Sequence, residues 1–346
     1  MIKNIIKEAF ILKNKGYYKH AIETLYKALE YDNNSPELLY EIADLYHLIN
    51  DNERASNYIE QALDINPTHI ESLELLKKIF IKNKLYKQAE ETARNIFIIS
   101  KNADDFAKIL ELLNSQKKYN DVVSQAENFE NKNSNILYEI AFAKLFLNQA
   151  NDALEEISKA INFEPENNKF KLLKSKILFK LDKKEESKEI LESLEINSSD
   201  SDILNFIGLV KQDNCEFDSA LEYFLEAIKI SPNNDEYLYN CGSTYFKKGD
   251  TSLAKKYYNL AISLNPDNQN YHFALANLYY SEKNYKRAME ELAYDFYEAK
   301  LLKSIILYDS GYLSVARKYI LELEKERPEN DLVQEYRRKI EEELKI

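Results

Sequence analysis

The sequence predicts an all-α fold in which antiparallel pairs of helices stack into a solenoid. Gly occupies only 5 of the 346 positions and charged residues make up 31%, a composition typical of a chain that is nearly all helix. A segment of similar pattern returns about every 34 residues along the chain. Because one such unit can bury its apolar face only against its neighbours, this repetition predicts a stacked array rather than separate domains.

Residues 235–268, DEYLYNCGSTYFKKGDTSLAKKYYNLAISLNPDN, form the clearest copy of the repeated unit. Apolar or small residues recur at helical spacing in two runs, Leu238, Cys241, Gly242 and Tyr245 in the first and Ala254, Tyr258 and Ala261 in the second. Gly249 separates the runs and favours the end of the first helix, and Pro266 prevents the second helix from continuing. The small residues in both runs predict two antiparallel helices that approach closely.

One position in the second helix of each unit counts the repeats, and we call it the marker position. It holds Ala in eight units and Val or Ser in two: Ala21, Ala55, Ala89, Val122, Ala153, Ser187, Ala220, Ala254, Ala288 and Ala316. Five of the six Pro residues stand twelve positions after it. Every Gly falls either in the turn between the helices or at the close-packing site of the first helix. This agreement predicts about ten units.

The unit at residues 235–268 resembles the tetratricopeptide repeat in its length and in the order of its small, aromatic and Pro residues. The resemblance covers essentially the whole chain and implies a right-handed superhelical α-solenoid, with tandem units forming one solenoid over residues 2–330. We expect residues 331–346 to be a C-terminal capping helix, with an apolar side made of Val333, Tyr336, Ile340 and Leu344. Shortened spacings predict a change of superhelical pitch near residues 129–137 and an irregular joint near residues 293–298.

The composition argues against nucleic acid and membranes as partners. The formal net charge is -12, and no stripe of Lys and Arg is present to meet a phosphate backbone. The apolar runs fall far short of the ~20 residues that cross a bilayer. Lys7 and Glu8 interrupt the apolar N-terminal stretch, unlike the core of a signal peptide. We therefore expect no membrane insertion and a cytoplasmic protein.

The sequence predicts no catalytic, cofactor-binding or metal-binding residues. The four His residues stand at unrelated positions of different units: His20, His47, His69 and His272. None of them forms a metal-binding pair with another His or a Glu at helical spacing. Every Gly is explained by the repeat, which leaves none for a phosphate-binding loop. Cys215 is expected in a turn and Cys241 on a packed helix face. We therefore expect neither an enzyme nor a cofactor.

In tetratricopeptide proteins the first helices of successive units line a concave groove, and the resemblance implies the same here. Side chains that packing leaves free on these helices are the candidates for contact with a partner. Toward the N-terminus they form an acidic zone of Glu37, Glu41, Asp44, Glu71 and Glu74. Toward the C-terminus they form the predicted peptide-binding groove of Asn205, Tyr239, Asn240, Phe246, Phe273, Asn277, Tyr280 and Tyr308.

Asn can bond both the N–H and the C=O of an extended peptide, and aromatic rings supply contact area with little rotamer entropy to lose. The competing interpretation is that several of these rings pack between neighbouring helices. The groove favours a non-catalytic protein–protein interaction scaffold or adaptor that binds a peptide segment of a partner protein. The alternative is a structural, self-assembling protein, because Ile2, Ile5, Ile6, Phe10 and Ile11 occupy more than one face of the N-terminal helix and could join a homo-oligomer.

Overall fold

The computed structural model describes residues 2–194 and 200–345, and every regular element within them is an α-helix. The helices fall into two compact units, divided after Leu194. The first unit contains α1 (Ile2–Asn14), α2 (Tyr18–Leu29), α3 (Pro36–Leu48), α4 (Asn52–Ile65), α5 (Ile70–Lys82), α6 (Tyr86–Ser100), α7 (Ala103–Ser115), α8 (Tyr119–Glu127), α9 (Ser134–Phe146), α10 (Ala150–Phe163), α11 (Asn168–Lys180) and α12 (Lys184–Ser193). The second unit contains α13 (Ser201–Asp213), α14 (Phe217–Ile230), α15 (Asp235–Lys248), α16 (Thr251–Leu264), α17 (Gln269–Ser281), α18 (Tyr285–Glu291), α19 (Tyr297–Asp309), α20 (Leu313–Glu326) and α21 (Asp331–Leu344).

Short turns join these helices into antiparallel pairs, α1 with α2, α3 with α4, and so on to α19 with α20. Each pair turns through one residue with a positive φ: Gly16, Asn50, Lys84, Lys117, Asn148, Asp182, Cys215, Gly249, Lys283 and Gly311. This left-handed conformation ends the first helix and lets the chain reverse. Within each unit every pair also contacts the next one. The pairs confirm the predicted all-α fold of stacked antiparallel helices.

The marker positions lie at the centre of the helix pairs. All ten of them, from Ala21 to Ala316, have 0% exposed surface. The first-helix residue twelve positions before each marker, the close-packing site, is buried as well. At Gly242 an added Cβ would lie 2.9 Å from the Tyr258 ring, so the two helices meet at a point where only Gly leaves room for that ring.

Side-chain caps fix where the first helix of a pair begins. Oδ1 of Asn234 accepts hydrogen bonds from the backbone N–H groups of Glu236 and Tyr237 at 3.0 and 3.2 Å. The same role at other helix starts belongs to Ser35, Asn102, Asn133, Asn167, Asn268 and Asn330. A cap of this kind satisfies N–H groups that the first turn leaves unpaired and typically stabilises by ~1 kcal/mol.

Two pairs contain a shortened second helix. α8 has nine residues, and the segment after it stacks Phe129 on Phe106 with ring centroids 4.4 Å apart. α18 has seven residues, and the joint predicted near residues 293–298 falls between it and α19, which begins at Tyr297. The change of pitch near residues 129–137 stays a prediction.

α21 packs against α20 in the second unit. Val333 and Ile340 of α21 are fully buried in a cluster that includes Ile320 and Leu323 of α20. Ile346, the last residue of the predicted cap, lies outside the described residues, as do residues 195–199 of the predicted repeat region. The prediction that both units continue as one solenoid stays a prediction.

Candidate functional site

The second unit carries all eight residues of the predicted peptide-binding groove on its first helices. α13, α15, α17 and α19 contact one another in that order. We call the eight residues the C-terminal face: Asn205, Tyr239, Asn240, Phe246, Phe273, Asn277, Tyr280 and Tyr308. The two Asn residues of α13 and α15 are buried, and the other six residues are half-buried. The face therefore has two kinds of members, which differ in what they can offer a partner.

Asn205 and Asn240 are bonded to each other. Nδ2 of Asn240 donates to Oδ1 of Asn205 at 3.0 Å, and the two residues are only 5% and 7% exposed. Because this amide donor and this amide acceptor satisfy each other inside the unit, they are not presented to a peptide as the sequence predicts. The bond links α13 to α15 and is first of all a structural contact.

The rings of the C-terminal face pack partly between helices. Tyr239 stacks on Tyr271 of α17 with ring centroids 5.0 Å apart. Phe273 meets Phe296, just before α19, edge-on at 5.5 Å. Phe246 packs against a core cluster of the same unit. Inter-helix packing thus accounts for part of each ring, as the competing interpretation expects, while the half-buried state leaves ring surface in contact with solvent.

Tyr280 and Tyr308 direct their hydroxyl groups at acidic residues on the next first helix or on α21. The Tyr280 hydroxyl donates to Oδ2 of Asp309 at 2.7 Å, and the Tyr308 hydroxyl donates to Oε1 of Glu343. The hydrogen bond to Glu343 raises the pKa of Tyr308 to about 12, because the bond favours the protonated phenol. Asn277 bonds its own helix, with Nδ2 2.9 Å from the Phe273 carbonyl oxygen. Sequence spacing predicts neither of these acidic partners, Asp309 and Glu343.

The predicted acidic zone of the first unit is partly neutralised by Lys13 of α1. Its Nζ lies 2.8 Å from a carboxylate oxygen of Glu41 and 2.8 Å from one of Asp44, both on α3. Burial opposes the charge on Lys13, but the hydrogen bonds to Asp44 and Glu41 outweigh it and raise the pKa of the ammonium group. Sequence spacing gives no sign of this partner, because Lys13 belongs to the preceding helix pair of the same unit.

The other members of the acidic zone are divided between exposed and paired residues. Glu74 lies 2.7 Å from Nζ of Lys77, which is itself buried. Glu37 and Glu71 are exposed, and Nε2 of His69 lies 3.6 Å from Glu71. The structure therefore places the five acids along α3 and α5 without bringing them together into one bare anionic surface.

Two adjoining cavities lie along the first helices of the first unit. One, of about 260 Å³, lies between α5, α6 and α7 and includes Glu74 of the acidic zone in its wall. The other, of about 200 Å³, lies between α7, α9 and α11. Glu111 and Ser115 line both. Glu111 and Ser115 of α7 are therefore accessible from two cavities. The surface along α5, α7 and α9 is a second candidate for contact with a partner.

A buried carboxylate, Glu139, lies at the second cavity and is only 6% exposed. Nδ2 of Asn114 donates to Oε2 of Glu139 at 2.7 Å and to its carbonyl oxygen at 3.0 Å. Nζ of Lys169 lies 4.0 Å from Oε1. Burial outweighs both the Asn114 bond and the Lys169 charge and raises the pKa of Glu139 to about 7. This carboxyl therefore titrates near neutral pH.

Glu139 and Asn114 are not among the candidate site residues predicted from the sequence. The signal for Glu139 was present, because α9, SNILYEIAFAKLF, has one acidic residue in a helix that is otherwise mostly apolar. A lone acid with apolar neighbours on both sides indicates a buried carboxylate that needs a partner. Asn114 gave no such signal, because Asn is frequent along the whole chain.

Metal sites, membrane spans and the two Cys residues are the features that would indicate other functional classes. Residues 2–194 and 200–345 hold no group of three or more His, Cys, Asp or Glu arranged to bind a metal ion. None of the described helices combines the length and the apolar character needed to cross a bilayer. Cys215 is exposed in its turn and Cys241 is buried, as their positions in the repeat predict.

Three family models match parts of the sequence. The model described as "Psidin, N-terminal TPR repeats region" matches residues 142–257, and the model "Tetratricopeptide repeat" matches residues 239–300. The model "Anaphase-promoting complex, cyclosome, subunit 3" matches residues 14–96. The matches fall in both compact units. A search of curated proteins gives no significant match.

Solved structures share the fold at low sequence identity. A chain in the crystal structure of the APC/C hetero-tetramer Cut9-Hcn1 aligns with a TM-score of 0.67 and 11% identity, over 98% of this chain and 84% of that one. PilF of Pseudomonas aeruginosa aligns with a TM-score of 0.51 and 18% identity, over 60% of this chain and 97% of that one. The repeat length, the helix pairs and the three family models agree in supporting a tetratricopeptide repeat protein.

Proposed function

We propose that this chain is a non-catalytic scaffold for protein–protein interaction, and that the first helices of its second unit bind a segment of a partner protein. One observation carries the proposal. Successive first helices, α15, α17 and α19, contribute a row of half-buried rings to one face, from Tyr239 through Phe273 and Tyr280 to Tyr308. Rings held in place by their neighbours offer contact area at a low entropic cost, which is what binding hot spots require.

The contacts within the unit divide the face into supporting and contacting residues. The Asn205–Asn240 bond is buried and is proposed to hold α13 against α15. The exposed parts of the rings are proposed to contact the partner. Nδ2 of Asn277 donates to the Phe273 carbonyl oxygen of the same helix. Oδ1 of Asn277 is therefore the atom proposed to accept a hydrogen bond from a bound backbone.

The comparisons support the scaffold class. One solved neighbour is a chain of a complex that is described as a hetero-tetramer, so in that protein a solenoid of this fold assembles with other chains. The identity of 11% transfers the fold and no particular partner. We therefore propose a peptide segment as the ligand, and a peptide-display selection identifies its sequence.

A peptide-display selection against the full chain tests the proposal. Selected peptides are measured by fluorescence anisotropy against the wild type, a Tyr280→Ala, Tyr308→Ala variant and a Tyr312→Ala control, whose ring is 63% exposed in the turn before α20. We expect the double variant to bind at least about tenfold more weakly, a loss of about 1.4 kcal/mol, and the control to bind like the wild type. Equal affinity of all three proteins for every selected peptide contradicts the proposal.

A further inference from the structure

We infer that the cavity between α7, α9 and α11 of the first unit receives one arginine side chain of a bound partner segment. We call it the Glu139 cavity, lined by Glu111, Asn114, Ser115, Tyr138, Glu139, Phe142 and Lys169. The inference rests on the proposed function, that this chain binds a segment of another protein, and adds a second contact site of defined chemistry. An arginine site needs an acidic side chain, a further hydrogen-bond acceptor without a donor, and an aromatic ring to stack on. The residues that line the cavity supply all three.

The acidic side chain is Glu139, which is buried and has only a distant cationic partner. Its Oε2 accepts from Asn114 at 2.7 Å, but Oε1 has only Lys169, with Nζ at 4.0 Å, beyond hydrogen-bond distance. Burial makes the ionised form of Glu139 costly when its charge is incompletely paired. A cationic donor that reaches Oε1 would reduce this cost, because its charge stabilises the ionised carboxylate.

Asn114 supplies a second acceptor. Its Oδ1 is buried and has no hydrogen-bond partner among the described residues, although its Nδ2 makes two bonds to Glu139. Those two bonds fix which side-chain atom is the nitrogen. An unmade hydrogen bond at a buried carbonyl is unfavourable, because the desolvation of the oxygen is not compensated. Glu139 Oε1 and Asn114 Oδ1 therefore both lack a hydrogen-bond donor, and a ligand that satisfies both must donate more than one hydrogen bond.

The wall of the cavity already holds a cation against an aromatic ring. Nζ of Lys169 lies 4.1 Å from the centroid of the Tyr138 ring, and the Phe142 ring lies 6.5 Å from that of Tyr138. The Lys169 side chain is 58% exposed, so little packing is lost when it moves away. Its present position shows that a positive charge is stable between the Tyr138 ring and the Glu139 carboxylate.

A guanidinium group fits these features better than an ammonium group. It is planar, stacks on aromatic rings, and presents several N–H donors in a fixed fork, so that one group can serve two acceptors. The charged groups around Glu139 are Lys108 and Glu111 on α7 and Lys169 on α11. Lys108 and Glu111 pair at 2.8 Å, so Lys169 is the cation that an incoming arginine replaces.

Nuclear magnetic resonance titration of the full chain tests the inference directly. The probes are N-acetyl-arginine N-methylamide and its citrulline counterpart, in which a neutral urea group replaces the guanidinium. We expect saturable shifts of the Asn114 side-chain amide with the arginine probe and at least about tenfold weaker binding of the citrulline probe, because the charge-assisted bonds are lost. Absence of a saturable Asn114 shift with the arginine probe overturns the inference.

Two variants assign the binding to the carboxylate. Glu139→Gln keeps the shape and an acceptor for Asn114 but removes the charge, and should bind the arginine probe about tenfold more weakly. Glu155→Gln on α10 is the matched control, because that carboxylate is 68% exposed and lies outside the cavity lining. Thermal unfolding verifies that both variants fold. Equal affinity of Glu139→Gln and the wild type for the arginine probe overturns the inference.

Free arginine carries the same side chain as the probe and is distinguished by a third titration. A capped pentapeptide with one central arginine should bind at least as tightly as free L-arginine if the cavity serves a partner segment. Binding of free arginine more than about tenfold tighter would overturn that assignment in favour of the amino acid itself. Peptides selected on the C-terminal face report separately on the proposed function, because their affinity depends on Tyr280 and Tyr308 and should be unchanged in Glu139→Gln.

Discussion

Glu139 is a residue whose acid–base chemistry differs from its ordinary behaviour in water. Its pKa is raised to about 7, chiefly by burial, and therefore lies above the value that the carboxyl has in the unfolded chain. Between the two pKa values the folded protein holds a proton that the unfolded chain has released. The favourable contribution of the group is therefore full at acid pH, below the unfolded pKa, and is lost as the pH rises through about 7.

Glu139→Gln should consequently stabilise the chain at alkaline pH. At pH 8 the variant avoids a buried charge, and we expect its free energy of unfolding to exceed that of the wild type by roughly 1–3 kcal/mol. At pH 4 the wild-type carboxyl is already neutral and the difference should nearly vanish. Urea unfolding at both pH values measures the effect, with Glu155→Gln as the exposed control. A variant that is less stable than the wild type at pH 8 would show that the carboxylate makes a net favourable contribution.

The helix pairs are matched in volume at the point where they cross. Where the close-packing site is Gly, the residue four positions after the marker is aromatic, as for Gly242 with Tyr258 and Gly208 with Phe224. Where that site is Ala, as at Ala43 and Ala141, the same second-helix position holds Ile59 and Ile157. Where it is Leu110, the position holds Ala126. A small residue on one helix thus leaves space that a large residue on the other fills.

Gly242→Ala tests this complementarity. The added methyl group would lie 2.9 Å from the Tyr258 ring, so the variant should lose about 1–3 kcal/mol of stability through overpacking. Adding Tyr258→Leu, which moves the pair toward the Ala–Ile pattern, should recover part of that loss. A double-mutant cycle by urea unfolding should give a favourable coupling of about 1 kcal/mol or more. Simple addition of the two single effects would mean that the positions do not compensate each other.

The sequence predicts the repeat well because the repeat is encoded locally. Marker residues, turn residues and helix caps each act within one repeat, and their spacing alone predicts the helix pairs. Contacts between successive repeats are not encoded in this way. Three contacts join residues of successive repeats inside one compact unit. They are the bond between Asn205 and Asn240, the pairing of Lys13 with Glu41 and Asp44, and the bond from Tyr280 to Asp309. Which side chains remain free for a partner depends on these contacts, so the spacing of the sequence alone does not determine the residues of the groove.

For the molecule as a whole, the alternative of self-assembly rests on the N-terminal helix. Ile2, Ile5 and Ile6 pack against the core of the first unit, whereas Phe10 and Ile11 are 41% and 48% exposed. Two side chains are a small apolar surface beside the ~800 Å² that each partner of a stable interface usually buries. We propose that the chain acts as a monomer.

Light scattering over a wide concentration range tests this proposal, with a Phe10→Asp, Ile11→Asp variant beside the wild type. We expect both proteins to show one mass that does not change with concentration. A wild-type mass that rises with concentration, together with a variant that stays monomeric, would favour the self-assembling function instead.

We propose above that a partner segment lies on the first helices of the second unit. Photo-crosslinking measures this most directly, with a selected peptide that carries one benzophenone group and with the attachment site identified by mass spectrometry. We expect attachment to residues of α15, α17 and α19, and loss of that attachment in the Tyr280→Ala, Tyr308→Ala variant. Attachment to α14, α16 or α20 that persists in this variant would contradict the proposed binding site.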